Sequence, residues 1–120
     1  HWNVKGKEFF KLHEKFEEAY LEAAVFADDI AERILARDGK PFSTMAKFIE
    51  HAAISEDPDP PNYEGMVENI ISDIESLDDR SVEIIEAAED HRDRTTANLL
   101  DDMIDQQEER KWMFRTFLAD

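Results

Sequence analysis

The 120-residue sequence predicts an all-α protein: a four-helix bundle with a short extra helix in the connection between the second and third long helices. Three observations carry this. Strong chain breakers are scarce, with only three glycines and with the prolines gathered at Pro41 and in the run Asp57 to Asn62. Between the breaks, apolar residues recur at helical spacing over long stretches. No segment alternates apolar and polar residues as a half-buried strand would.

In chain order, His1 stands beside Trp2 in what reads as the end of a longer helix closing near Val4, with the earlier part of that helix outside the chain. Gly6 breaks the pattern. Lys7 to Arg37 contains no Gly or Pro and ends in Arg37-Asp38-Gly39, so one long helix is expected there, with Gly39 as a left-handed C-terminal cap and Pro41 beyond it. Ser43 to about Ala53 reads as a short helix capped by Ser43 and stopped by the proline-rich loop. Asn62 to Asp90 and Asp93 to Leu118 each keep an apolar stripe, joined at His91-Arg92-Asp93-Arg94-Thr95. A length of 120 residues fits a single domain spanning 1–120 and able to bury roughly two thirds of its unfolded surface.

Composition narrows the function. Lys and Arg total 14 against 30 Asp and Glu, a net charge of −16 that repels phosphate backbones and attracts cations. DNA binding by this stretch is therefore not supported. There is no cysteine, so any metal must be held by nitrogen and oxygen, and a cytoplasmic setting fits. No apolar run approaches the roughly 18 residues of a membrane span, and no signal-peptide pattern is visible.

The helix over Lys7 to Arg37 sorts into three faces rather than two. Phe9, Leu12, Phe16, Ala19, Ala23, Ala27, Ile30 and Ile34 make the core stripe, and Lys11, Glu14, Lys15, Glu18, Glu22, Asp29, Arg33 and Arg37 a charged face. The third face mixes apolar Phe10, Leu21, Ala24 and Leu35 with His13, Glu17, Asp28 and Glu32. Apolar residues away from the core imply a second surface, most simply the same helix of another copy across a two-fold axis.

His13 and Glu17 are one turn apart, as are Asp28 and Glu32, but the two pairs are separated by about 16 Å along the helix. In an antiparallel pair of identical helices, residues meet where their numbers have a constant sum. His13 with Glu32 and Glu17 with Asp28 both give 45, as do Phe10 with Leu35 and Leu21 with Ala24. One two-fold between positions 22 and 23 thus sets each His/Glu pair opposite an Asp/Glu pair, provided the crossing angle is small. With 30 carboxylates in the chain, ordinary polar residues on an acidic helix remain the alternative. As a ligand set, imidazole plus carboxylates suits iron, manganese or zinc, and redox chemistry favours iron. Glu-x-x-His is absent, because Phe10, Phe48 and Ala88 precede His13, His51 and His91 by three, so a site inside one bundle is not expected.

His1-Trp2-Asn3-Val4-Lys5-Gly6, Phe9, Leu12-His13-Glu14, Phe16, Tyr20, and Asp28 with Ala31-Glu32-Arg33 resemble the signature of the Dps mini-ferritins, and the likeness continues through Gly39 and Pro41 to Lys111-Trp112-Met113. The resemblance implies a ferritin-like subunit of a hollow dodecamer built from two-fold dimers, a cytoplasmic ferroxidase. Such proteins oxidise Fe(II), preferably with hydrogen peroxide, and store the ferric mineral, limiting oxidative damage to DNA. It also implies His1, His13 and Glu17 as iron ligands from one subunit and Asp28 and Glu32 from its mate, with Zn or Mn as substitute metals. Trp2 is implied as a radical sink, and Glu89, Asp90 and Asp93 as lining a pore that admits iron. The sequence departs from the family pattern at Glu17, commonly Asp, and at Asn98, often Asp, while Arg94 adds positive charge near the pore. Two other readings are a DNA-binding architectural protein, for which these residues supply no basic tail, and a non-catalytic acidic helical dimerisation module.

Overall fold

The computed structural model describes residues 1–120, which form four helices and no strand: α1 (Phe9–Ala36), α2 (Met45–His51), α3 (Tyr63–Asp90) and α4 (Arg94–Leu118). The short α2 lies in the connection between two long helices, as expected. No helical turn ends near Val4; residues 1–5 are non-helical and a turn follows at 6–8. Backbone contacts divide the chain into two compact units, His1–Tyr63 and Glu64–Asp120. No helix is long and apolar enough to cross a membrane.

In the first unit, Val4, Leu12 and Phe16 are buried. Burying side chains of the size of Leu12 and Phe16 stabilises by roughly 1.5–3 kcal/mol each. The stripe does not stay covered along the whole of α1: Ala23, Ala27 and Ile34 are exposed in the single chain. The end of α1 is a Schellman motif, with the Gly39 amide donating to the Ile34 carbonyl (2.9 Å) and the Asp38 amide to that of Leu35 (3.0 Å). Here the structure corrects the expected cap. Asp38, not Gly39, takes the left-handed conformation (φ 59°). Gly39 is needed for a different reason: a Cβ there would lie 2.7 Å from Ile34 Cγ2 and 3.0 Å from the Ile34 oxygen. The α2 cap also shifts by one residue, since Thr44 rather than Ser43 is extended and accepts from the Lys47 amide.

In the second unit, α3 and α4 run antiparallel, as two cross-helix ion pairs require: Asp78 with Lys111 (3.7 Å) and Glu75 with Arg115, whose numbers sum to 189 and 190. The corner between them uses one residue twice. Arg92 is left-handed (φ 57°), and the Asp93 amide closes α3 by donating to the Ala88 carbonyl (2.7 Å). The Asp93 carboxylate then caps α4, accepting from the Thr96 amide (3.1 Å) and hydroxyl (2.5 Å). Val67, Ile74, Ala88, Ala97, Leu100, Met103 and Phe114 are the buried apolar residues of this unit. Asp78 is buried beside them at 8% exposure, and neither of its carboxylate oxygens has a hydrogen-bond partner. Burial pushes its carboxyl above the ordinary range; the Lys111 ammonium pulls it down and Glu108 adds to the rise.

Candidate metal centre

The first five residues fold back along the start of α1. Gly6, at φ 93°, makes the reversal, a conformation that an L side chain rarely adopts. Its carbonyl accepts from the Phe9 amide (3.1 Å), and Val4 of the returning segment is buried. His1 is thereby brought next to His13.

The two histidines are joined reciprocally. His1 Nδ1 lies 2.7 Å from the His13 carbonyl oxygen, and His13 Nδ1 lies 2.9 Å from that of His1. A carbonyl oxygen can only accept, so each Nδ1 carries its proton, and in the neutral ring each Nε2 keeps a lone pair for a metal. The rings stack at 3.9 Å with 17° between planes, and Phe9 stacks on His13 at 4.9 Å. Two ligand rings are thus held in one tautomer and one orientation by backbone groups and packing, the arrangement usual behind metal-binding imidazoles.

Glu17 follows His13 by one turn and is exposed. The Tyr20 hydroxyl donates to its Oε1 at 3.4 Å, and the Tyr20 ring meets the His1 ring edge-on at 5.3 Å and 76°. Partial burial, then the Glu17 charge and this hydrogen bond, push the Tyr20 phenol above its usual range. Tyr20 is the residue that reading the sequence for ligand types overlooked; the signal available was its place three residues after Glu17, on the same face. Trp2 is 92% exposed, so it packs against almost nothing in the single chain.

Asp28 and Glu32 are exposed further along α1 and do not approach the histidines. No group of three or more His, Cys, Asp or Glu side chains able to hold a metal forms within one chain. The apolar members of the same face are also uncovered, with Phe10 84%, Leu21 54% and Leu35 59% exposed. At the α3–α4 corner, Glu89 and Asp90 are exposed, whereas the Asp93 carboxylate is committed to capping α4. His51 and His91 are exposed; His51 stacks on Phe42 (4.3 Å), and His91 Nδ1 donates to the Ala87 carbonyl (2.8 Å).

Residues 1–120 match the family model for the ferritin-like domain. The chain is 45% identical over 118 residues to DNA protection during starvation protein 2 of Bacillus anthracis, covering 98% of this chain and 81% of that protein. Among solved structures it is similar to a Dps protein from Bacillus brevis, with a TM-score of 0.96 and 38% identity over 99% of this chain and 80% of the other. It is also similar to a Dps protein from Vibrio cholerae O1, described as a member of a broad superfamily of ferritin-like diiron-carboxylate proteins, with a TM-score of 0.95 and 34% identity over 99% and 75% of the two chains.

Proposed function

Because the chain belongs to the ferritin-like family, in its Dps branch, we propose that it is a cytoplasmic ferroxidase and iron-storage subunit that uses hydrogen peroxide at a site shared by two copies. The observation that carries this reading is the reciprocal His1–His13 pair, which leaves two imidazole Nε2 lone pairs one helical turn from an exposed carboxylate, Glu17, on a face with uncovered apolar residues. Nitrogen and carboxylate oxygen donors of this kind suit Fe(II), with Zn or Mn as substitutes.

His1, His13 and Glu17 of one copy then face Asp28 and Glu32 of the other, completing two equivalent sites per dimer. The constant sum of 45 also lays exposed Phe10 on Leu35 and Leu21 on Ala24, giving the dimer apolar contacts around its metals. Of the two irons, the tighter is held by His1 and His13 with Glu32 and Asp28 of the mate. The second is held more weakly, by Glu17 or water. Each Fe(II) gives one electron, so one peroxide and two protons become two waters without releasing hydroxyl radical. Six such dimers make the dodecamer, with the ferric mineral inside and DNA spared oxidative damage. Exposed Glu89 and Asp90 are proposed to lie at the pore that admits iron, with Asp93 fixing the corner that carries them. Trp2, exposed next to His1, is the proposed radical sink.

The test is peroxide-driven Fe(II) oxidation with particle mass recorded on the same sample. Fast oxidation by a large assembly, lost in His13→Ala, is expected. A two-fold dimer that binds no Fe(II) and oxidises none would leave only an acidic dimerisation module.

A further inference from the structure

One side chain that belongs to none of the proposed ligand positions touches two of them. Tyr20 donates a hydrogen bond from its hydroxyl to Glu17 Oε1 and sets its ring edge-on to His1, which is itself tied to His13. From this we infer that Tyr20 is a positioning residue that fixes where the Glu17 carboxylate stands relative to the imidazole pair and so sets the strength of the second, weaker metal position. The inference rests on the shared metal site proposed above and specifies its least defined ligand.

The reach of Glu17 is what makes the contact. Its carboxylate meets the Tyr20 hydroxyl at 3.4 Å, near the limit for such a bond. An Asp at position 17 is shorter by one methylene and forfeits the contact. Glu at 17 and a hydroxyl at 20 therefore act as a pair, three residues apart on one helical face.

In the single chain the hydrogen bond is long and Tyr20 is half exposed, so water competes with it. Covering this face with a second copy removes that water and strengthens the bond. A free Glu on a helix surface samples several rotamers, so its carboxylate has no single position relative to His13 one turn away. Held by Tyr20, whose ring is set edge-on to His1, the carboxylate is restricted to one of these positions. The tight position, defined by the histidines, depends on Tyr20 only through the ring contact with His1.

The test is a double-mutant cycle on the full assembled protein with Co(II), a divalent probe whose visible absorption reports its coordination. Wild type, Tyr20→Phe, Glu17→Asp and the double variant are titrated, with His13→Ala as control. Tyr20→Phe keeps the ring against His1 and deletes only the hydroxyl. It is expected to weaken the second Co(II) step about tenfold, in the range found when a metal ligand loses its supporting partner. The first step should stay unchanged and the absorption of the second should shift. In the Glu17→Asp background, Tyr20→Phe should change neither step. An equal effect of Tyr20→Phe in both backgrounds, or no effect in either, overturns the positioning role while the metal site stands. Equal Co(II) binding by wild type and His13→Ala overturns the shared site and this inference with it.

Discussion

A shared site makes a quantitative demand on mixtures of inactive variants. His13 and Asp28 are both on α1 and 15 residues apart, which at the helical rise of about 1.5 Å per residue is roughly 22 Å. One metal cannot touch both in the same chain. His13→Ala and Asp28→Ala should therefore each abolish fast oxidation alone. Mixed one to one with random pairing, half of the dimers are mixed. In a mixed dimer one site carries both substitutions and the other carries neither, because His13 comes from the Asp28→Ala chain and Asp28 from the His13→Ala chain. The mixture should recover about one quarter of the wild-type rate per chain, and purified mixed dimers about one half. The assay is ferric absorbance after peroxide is added to Fe(II)-loaded protein, with the two chains distinguished by tags and the mixed species isolated. No recovery in verified mixed dimers would refute the shared arrangement.

Three further outcomes concern stability. Gly39→Ala should cost about 1–3 kcal/mol in urea denaturation, since its Cβ would meet Ile34 Cγ2 at 2.7 Å and a β-branched side chain on a helix has little freedom to move; Asp38→Gly, at φ 59°, should instead stabilise by up to about 1 kcal/mol. A neutral Gly39→Ala would mean that the α1 end does not pack as described. For Asp78, the folded-state pKa lies above the ordinary 3.8, so folding takes up a proton. The stability it contributes is full below that ordinary value and is lost as pH rises through the folded one. Asp78→Asn should accordingly gain on the wild type as pH rises above the ordinary carboxylate value, and a pH-independent difference in unfolding free energy would contradict the assignment.

Much of α1 was legible in the sequence because its meaning lies in spacing. Phe10, Leu21 and Leu35 break the two-faced pattern of an ordinary surface helix, and their exposure in the folded chain agrees with that reading. The lengths of α3 and α4 likewise followed from uninterrupted periodicity, to within a residue of Tyr63–Asp90 and Arg94–Leu118. What escaped was set by dihedral angles and by reach. Gly39 and Asp38 exchange roles because composition names the residue able to turn but not the one that must pass close to Ile34. Ser43 and Thr44 are both competent caps, and only backbone geometry separates them. The His1–His13 bonds and the ring contact of Tyr20 with His1 need coordinates, because they depend on a reversal at Gly6 that no periodicity encodes. Asp28 and Glu32 stay away from His13 for a simpler reason: they lie 15 and 19 residues further along the same helix.

The reciprocal histidine pair has an electronic consequence. A cation that draws density from one Nε2 makes the Nδ1 proton of that ring more acidic and shortens its bond to the carbonyl it already holds. That carbonyl belongs to the backbone of the other histidine. If the two rings hold metal as proposed, loading either one would pull in the chain segment bearing its neighbour, and the two imidazoles would act as one chelate whose halves tighten each other.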